Sequence, residues 1–130
     1  MIRHLLRLAV PNTLYVQIRA NEFAVKHLES SQTRRKRAAT PFTTRRLLVG
    51  NFLSAEALLK TCFGEVLTPF ARLVRPNVVM HQLEMVEGGL SAVEERVLLE
   101  LASGAGAHKV RVWVGHPLSD SAVKEKLREI

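Results

Sequence analysis

Residues able to do chemistry are present in this 130-residue chain, but few are spaced to act together. Five histidines (His4, His27, His81, His108 and His116) and one cysteine, Cys62, show no paired spacing of the kind that holds zinc. Gly104-Ala105-Gly106 is not a phosphate loop, because it follows an expected helix rather than opening one. Ser119, His116 and Asp120 form a triad only on paper, since no strand-turn motif presents the serine. Positive charge remains. Arg34-Arg35-Lys36-Arg37 is the densest run, and Arg45-Arg46 follows after Pro41. Such a run can meet the phosphates of lipid or nucleic acid. No aromatic residue is interleaved with it, as a single-strand-binding surface would want. Charges of this kind also protect an exposed sheet edge.

The charge is unevenly placed. Residues 1–50 hold ten Lys/Arg against two Glu, while residues 51–130 hold nine Lys/Arg against ten Asp/Glu. The basic character therefore belongs to the first third of the chain. The length fits one domain, residues 1–130, with its own core. No apolar run reaches membrane-spanning length, and the run at residues 5–10 is too short and too charged for a signal peptide. Cys62 falls on an apolar helical stripe, which predicts a buried, reduced thiol and a cytoplasmic setting.

The elements that position these groups follow from periodicity. Residues 1–9 read as an amphipathic helix, with Ile2, Leu5, Leu6 and Ala9 on one face and Arg3 and Arg7 on the other, a pattern suited to an anionic membrane surface. Residues 1–11 are then an N-terminal segment and 12–130 the core. Residues 14–19 and 23–28 alternate as the strands of a hairpin, and a third strand is expected around 35–40. From Ser54, residues Ala55, Leu58, Leu59, Cys62, Phe63, Val66 and Leu67 recur at helical spacing until Pro69. A strand over 78–86 should place Val79, Leu83 and Met85 on one side and Gln82 and Glu84 on the other. A central strand covered on both faces should be nearly all apolar. One face of the sheet is therefore expected to be open, or to meet a partner. Ser91 and Glu94 form a capping box for a helix with Val93, Val97, Leu98 and Leu101 on one face, stopped at Gly104 and Gly106. A strand over 110–114 follows. A final helix, capped by Ser119 or Asp120, carries Val123, Leu127 and Ile130. The order β-β-β-α-β-α-β-α predicts an α/β, ribonuclease H-like fold with a mixed sheet, of the kind found in actin-type ATPases.

Several of these stretches resemble the MreB family of bacterial actins. The resemblance lies in Gly89, the helix opening Ser91-Ala92-Val93-Glu94-Glu95-Arg96, the turn Ala105-Gly106-Ala107, and Gly115-His116-Pro117 after the next strand. Upstream, Val49-Gly50-Asn51-Phe52 resembles the family's stretch before its first long helix. The resemblance runs, with gaps, from about Asn12 to Val123 and implies a single core subdomain of the actin fold. It also implies lost chemistry. Where the family's first hairpin carries Asp-Leu-Gly-Thr, this chain has Gln17-Ile18-Arg19-Ala20. The family's Asp before Phe aligns with Asn51, and its Glu before Pro aligns with His116. A nuclease of this fold would also need carboxylates at strand ends, and Gln17 stands where the first would be. These departures at Gln17, Arg19, Asn51 and His116 imply no catalytic residue, no cofactor, no metal and no ATPase activity.

The expected function is binding: an accessory factor in bacterial cell shape or envelope assembly. It would be cytoplasmic and peripheral at the inner membrane through Arg3, Arg7, Arg34, Arg35, Lys36, Arg37, Arg45 and Arg46. A protein partner or a second copy would cover the exposed sheet face. The alternative is a nucleic-acid-binding module using residues 34–46.

Overall fold

The computed structural model describes residues 11–130. The helix expected over residues 1–9, with Arg3 and Arg7, lies outside the described residues.

Three strands come first: β1 (Thr13–Arg19), β2 (Glu22–His27) and β3 (Gln32–Arg37). Helix α1 (Phe52–Val66), β4 (Asn77–Gln82), helix α2 (Ala92–Ala105), β5 (Val110–Trp113) and helix α3 (Asp120–Arg128) follow. The sheet order is β3-β2-β1-β4-β5. The first three strands run antiparallel, and β4 and β5 join parallel to β1. This is the expected β-β-β-α-β-α-β-α order with a mixed sheet.

Alternation in β1 assigns the two faces. Leu14, Val16 and Ile18 join Phe23, Val25, Val78 and Met80 in a core closed by α1 and α2. Leu59, Cys62, Phe63 and Val66 of α1 and Leu98 and Leu101 of α2 are buried there. Each such side chain contributes about 1.5–3 kcal/mol by leaving water. Tyr15 and Val79 face the other way and pack with Val123 and Leu127 of α3. Burial pushes the Cys62 thiol up to about 11, with the Glu65 carboxylate adding to the effect, so the thiol stays protonated at neutral pH.

The helix ends follow their local signals. Ser91 accepts from the Glu94 N–H while the Glu94 carboxylate accepts from the Ser91 N–H, the capping box in full. Ser119, rather than Asp120, caps α3 by accepting from the Ala122 N–H.

Four expectations are corrected. Strand β3 begins three residues earlier than 35, because Ser31 takes a positive φ of 58° and turns the chain so that Gln32 already pairs with His27. Strand β4 ends at Gln82, not 86. Its last pairing is with Ile18, and β1 turns away at Ala20, which leaves Glu84 without a strand to join. Gln82 does not mark an open face: it is buried, and its amide donates to the carbonyls of Glu84 and Met85. The face opposite α1 and α2 is covered by α3 across Tyr15 and Val79, and among the described residues its β2–β3 half, with Glu22, Arg35 and Arg37, carries no helix. Finally, Val93 and Ile130 are exposed rather than on the buried stripes: Val93 lies in the first turn of α2, and Ile130 lies beyond the end of α3 at Arg128.

Candidate functional site

In open α/β sheets, ligands gather outside the carboxyl ends of the parallel strands. Here β1, β4 and β5 end at Arg19, Gln82 and Trp113.

The hairpin turn after β1 organises this end. Asn21 adopts φ 55°, and its side-chain oxygen accepts from the backbone N–H groups of Phe42 and Thr43, both at 2.8 Å. The Asn21 N–H in turn donates to the Thr43 hydroxyl at 2.9 Å. The Phe42 carbonyl accepts from the N–H of Asn51, at the start of α1, at 2.8 Å. Asn51 is thus held at the same end of the sheet as Gln17 and Arg19, but in the α1 layer, and its side chain makes no capping bond.

Gln17, Arg19 and His116 lie on the other side of the sheet, around a residue that the sequence did not single out. His81, opposite Gln17 in the β1–β4 register, is fully buried. Its Nδ1 is 2.6 Å from the Tyr15 hydroxyl, and its Nε2 is 2.8 Å from the Gly115 carbonyl. The same hydroxyl accepts from the Leu118 N–H at 3.1 Å and, more weakly, from the Gln17 amide at 3.4 Å. With both lone pairs of the hydroxyl engaged, its proton goes to Nδ1, so Nε2 carries the imidazole proton and donates it to Gly115. Burial lowers the His81 pKa; electrostatic repulsion from His116 and Arg19 adds to this, against the Gly115 hydrogen bond, which raises it. The imidazole is therefore neutral and its bonds are spoken for. This seam ties β1 and β4 to the loop before α3.

Glu84, just beyond β4, accepts from the Ala20 N–H at 2.7 Å. Among the described residues, no group of three or more His, Cys, Asp or Glu gathers as a metal site would need. His116 is exposed. Its ring meets the Trp113 edge at 5.7 Å, and its carbonyl accepts from the Trp113 indole N–H. One nitrogen of Arg19, Nη1, is buried with no hydrogen-bond partner among the described residues.

The basic run does not form one patch. Alternation sends Arg34 and Lys36 toward Glu65 of α1, at 3.8 and 2.8 Å. Arg35 and Arg37 meet Glu22 on the opposite face, at 3.5 and 3.6 Å. Four cations share two carboxylates and two directions. Arg45 and Arg46 sit apart, exposed in the loop between β3 and α1.

No described helix is long and apolar enough to cross a membrane. His27 is buried and satisfied: Nε2 bonds Asn12 at 2.8 Å and Nδ1 bonds Ser30 at 2.7 Å. Burial lowers its pKa, with the Glu29 carboxylate opposing.

No protein-family model matches the chain. In three dimensions it is similar to the ethanolamine utilization protein EutJ from Carboxydothermus hydrogenoformans, with a TM-score of 0.52 and 14% identity. The match covers 80% of this chain and 36% of EutJ, so the chain spans well under half of that protein. At this identity the likeness speaks for the fold alone, which is actin-like and ribonuclease H-like. In sequence the chain is 41% identical over 128 residues to the uncharacterized protein YjaA of Escherichia coli (strain K12), across 91% of this chain and 98% of that protein. Identity at this level over nearly the whole of both chains means that the protein belongs to the YjaA family.

Proposed function

We propose that the chain is a non-catalytic lobe of the actin fold, similar to the core subdomain of MreB, that works by binding other proteins as an accessory factor in bacterial cell shape or envelope assembly. The observation that carries this reading is the state of the strand carboxyl ends. Gln17, Asn51 and His116 supply no carboxylate there, and Glu84 offers a single surface carboxylate, one oxygen of which accepts from the Ala20 N–H. The Tyr15–His81–Gly115 seam engages both ring nitrogens of His81 within the protein. A metal-triphosphate site needs free acidic groups at this place. The β2–β3 half of the sheet, which α3 leaves uncovered, would take the protein partner or a second copy. The cations at residues 3, 7, 34–37, 45 and 46 would hold the lobe near an anionic inner-membrane surface.

Calorimetry with magnesium-ATP, followed by a phosphate-release assay, tests the non-catalytic part. No heat of binding and no turnover are expected, and steady ATP hydrolysis would overturn it. Deleting the gene in its native host and measuring cell width tests the pathway; unchanged shape and envelope integrity would remove it. Flotation with vesicles tests the membrane part, which equal recovery on neutral and anionic lipid would discard.

The second reading, a nucleic-acid-binding module, is favoured by Arg45 and Arg46, which stand exposed and make no ion pair within the described residues. It predicts a salt-dependent gel shift that disappears when residues 34–37, 45 and 46 are neutralised.

A further inference from the structure

At the opposite, amino end of the parallel strands lies a cleft of about 450 Å³, within the size range of small-molecule sites. It is about 20 Å from the carboxyl ends, the length of β1. Arg75, Lys109, Lys124 and Arg128 line it, and no carboxylate does among the described residues. All four cations come from residues 51–130, where acids outnumber bases. Their gathering is therefore not a by-product of a basic chain. The first ten residues carry Arg3 and Arg7 and no acid, so they bring no counter-charge.

Some of these cations have structural work. Arg75 donates to the Gly106 and Ala107 carbonyls, at 3.4 and 2.9 Å, where α2 ends. Arg128 pairs with Glu125 and lies in the last turn of α3, where a cation offsets the helix dipole. Lys124 is only loosely opposed by Glu29, at 3.9 Å, and that carboxylate already accepts from the Thr13 N–H. Lys109 is exposed and its ammonium makes no ion pair among the described residues. Its backbone N–H is held by the Asn77 side-chain oxygen, which orients the Asn77 amide group as a further donor at the cleft. Pro11, Val74 and Leu127 add apolar wall.

We propose that this cleft is a binding site for a phosphorylated small organic molecule. Its phosphate groups would sit between Lys109, Lys124 and Arg75, and its organic body against the exposed Pro11 and the edge of Leu127. Concavity favours a small molecule over a flat membrane, and the absence of lining acid favours an anion. The proposal does not depend on the function proposed above, because it uses the other end of the sheet.

The test is an amide NMR titration of the full chain with inorganic pyrophosphate, alongside sodium chloride at matched ionic strength. Saturable shifts are expected at Asn77, Ala107 and Lys109 with pyrophosphate only. Each charge-assisted contact is worth about tenfold in affinity, so Lys109→Ala with Lys124→Ala should weaken binding about a hundredfold. Both lysines are exposed, and an unchanged far-ultraviolet dichroism spectrum would confirm that the fold survives. Equal shifts with sodium chloride, or undiminished binding by the double variant, would overturn the site. So would inert pyrophosphate together with phosphatidylglycerol vesicles that bind through the same lysines, which would assign the cations to lipid headgroups.

Discussion

The two ends of the parallel strands are built on opposite plans. At the carboxyl end a buried seam spends its polar groups on itself: Tyr15 bonds His81 and His81 bonds the Gly115 carbonyl, while Glu84 at the surface holds the Ala20 N–H and Arg19 Nη1 is buried without a partner among the described residues. At the amino end, Lys109 and Lys124 project into an open cleft with little to oppose them. A buried polar group without a partner costs far more than an exposed charge without one. The carboxyl end should therefore hold stability, and the amino end should have cations to spare for binding.

Removing one atom from the seam should have the largest effect. Tyr15→Phe deletes the hydroxyl and leaves the Leu118 N–H and the His81 Nδ1 unsatisfied in the interior. The expected loss is about 3 kcal/mol in urea unfolding at neutral pH. A loss under about 1 kcal/mol would mean that water replaces the hydroxyl, so that the end is open after all. Gly115→Ala comes next. The φ there is 143°, and an added Cβ would lie 2.9 Å from the Trp113 ring. The ring and the loop cannot both keep their places, and about 2 kcal/mol should be lost. Its thermal midpoint should fall less than that of Tyr15→Phe, and the reverse order would place the strength of this end in the loop rather than in the seam.

Protons probe both ends at once. His81 belongs to the carboxyl-end seam and His27 to the amino end, and burial holds both below the ordinary imidazole value of 6.5. As pH falls through 6.5, the unfolded chain takes up protons that the folded chain still refuses. Stability is therefore complete above that value and declines between it and the lowered folded values. Each histidine contributes a slope of at most about 1.4 kcal/mol per pH unit within that window. Urea unfolding across the window should show the decline, and His81→Gln and His27→Gln should each remove its own share. Flat stability through the window would show that both imidazoles are solvated, and the seam at the carboxyl end would then not be the buried network described.

What the sequence disclosed depended on how local the signal was. The capping box needs only Ser91 and Glu94, three residues apart, and it formed as read. The α1 stripe from Ala55 to Val66 is likewise local and is buried. Strand β3 has no apolar residue to betray it, so its start depended on the Ser31 turn, which the sequence does not announce. Gln82 was placed on the correct side of its strand, but alternation says only which residues share a face, not whether that face is covered. Gln17, Arg19, Asn51 and His116 drew attention through the resemblance alone, and the structure gathers Gln17, Arg19 and His116 around His81 but holds Asn51 in the α1 layer. The Tyr15–His81 seam was not legible, since the two residues are 66 apart and nothing short-range links them. Charge misled in both directions. The contiguous run at 34–37 drew attention and is shared between Glu65 and Glu22, whereas Arg75, Lys109, Lys124 and Arg128 come from separate segments and meet only in the fold.

The smallest expected change comes from the amino end. Neutralising Lys109 and Lys124 together removes no buried hydrogen bond and only one long ion pair, Lys124 to Glu29 at 3.9 Å. It also removes two positive charges from a cleft that Arg75 and Arg128 already make positive. The lost attraction and the relieved repulsion should nearly cancel, leaving stability within about 0.5 kcal/mol of the parent. Salt separates the two. Higher ionic strength screens like charges facing one another in solvent, so it should stabilise the parent more than the double variant. A double variant that unfolds more than about 1 kcal/mol sooner, with no difference in salt response, would mean that these lysines hold the fold together and that the two ends share one plan.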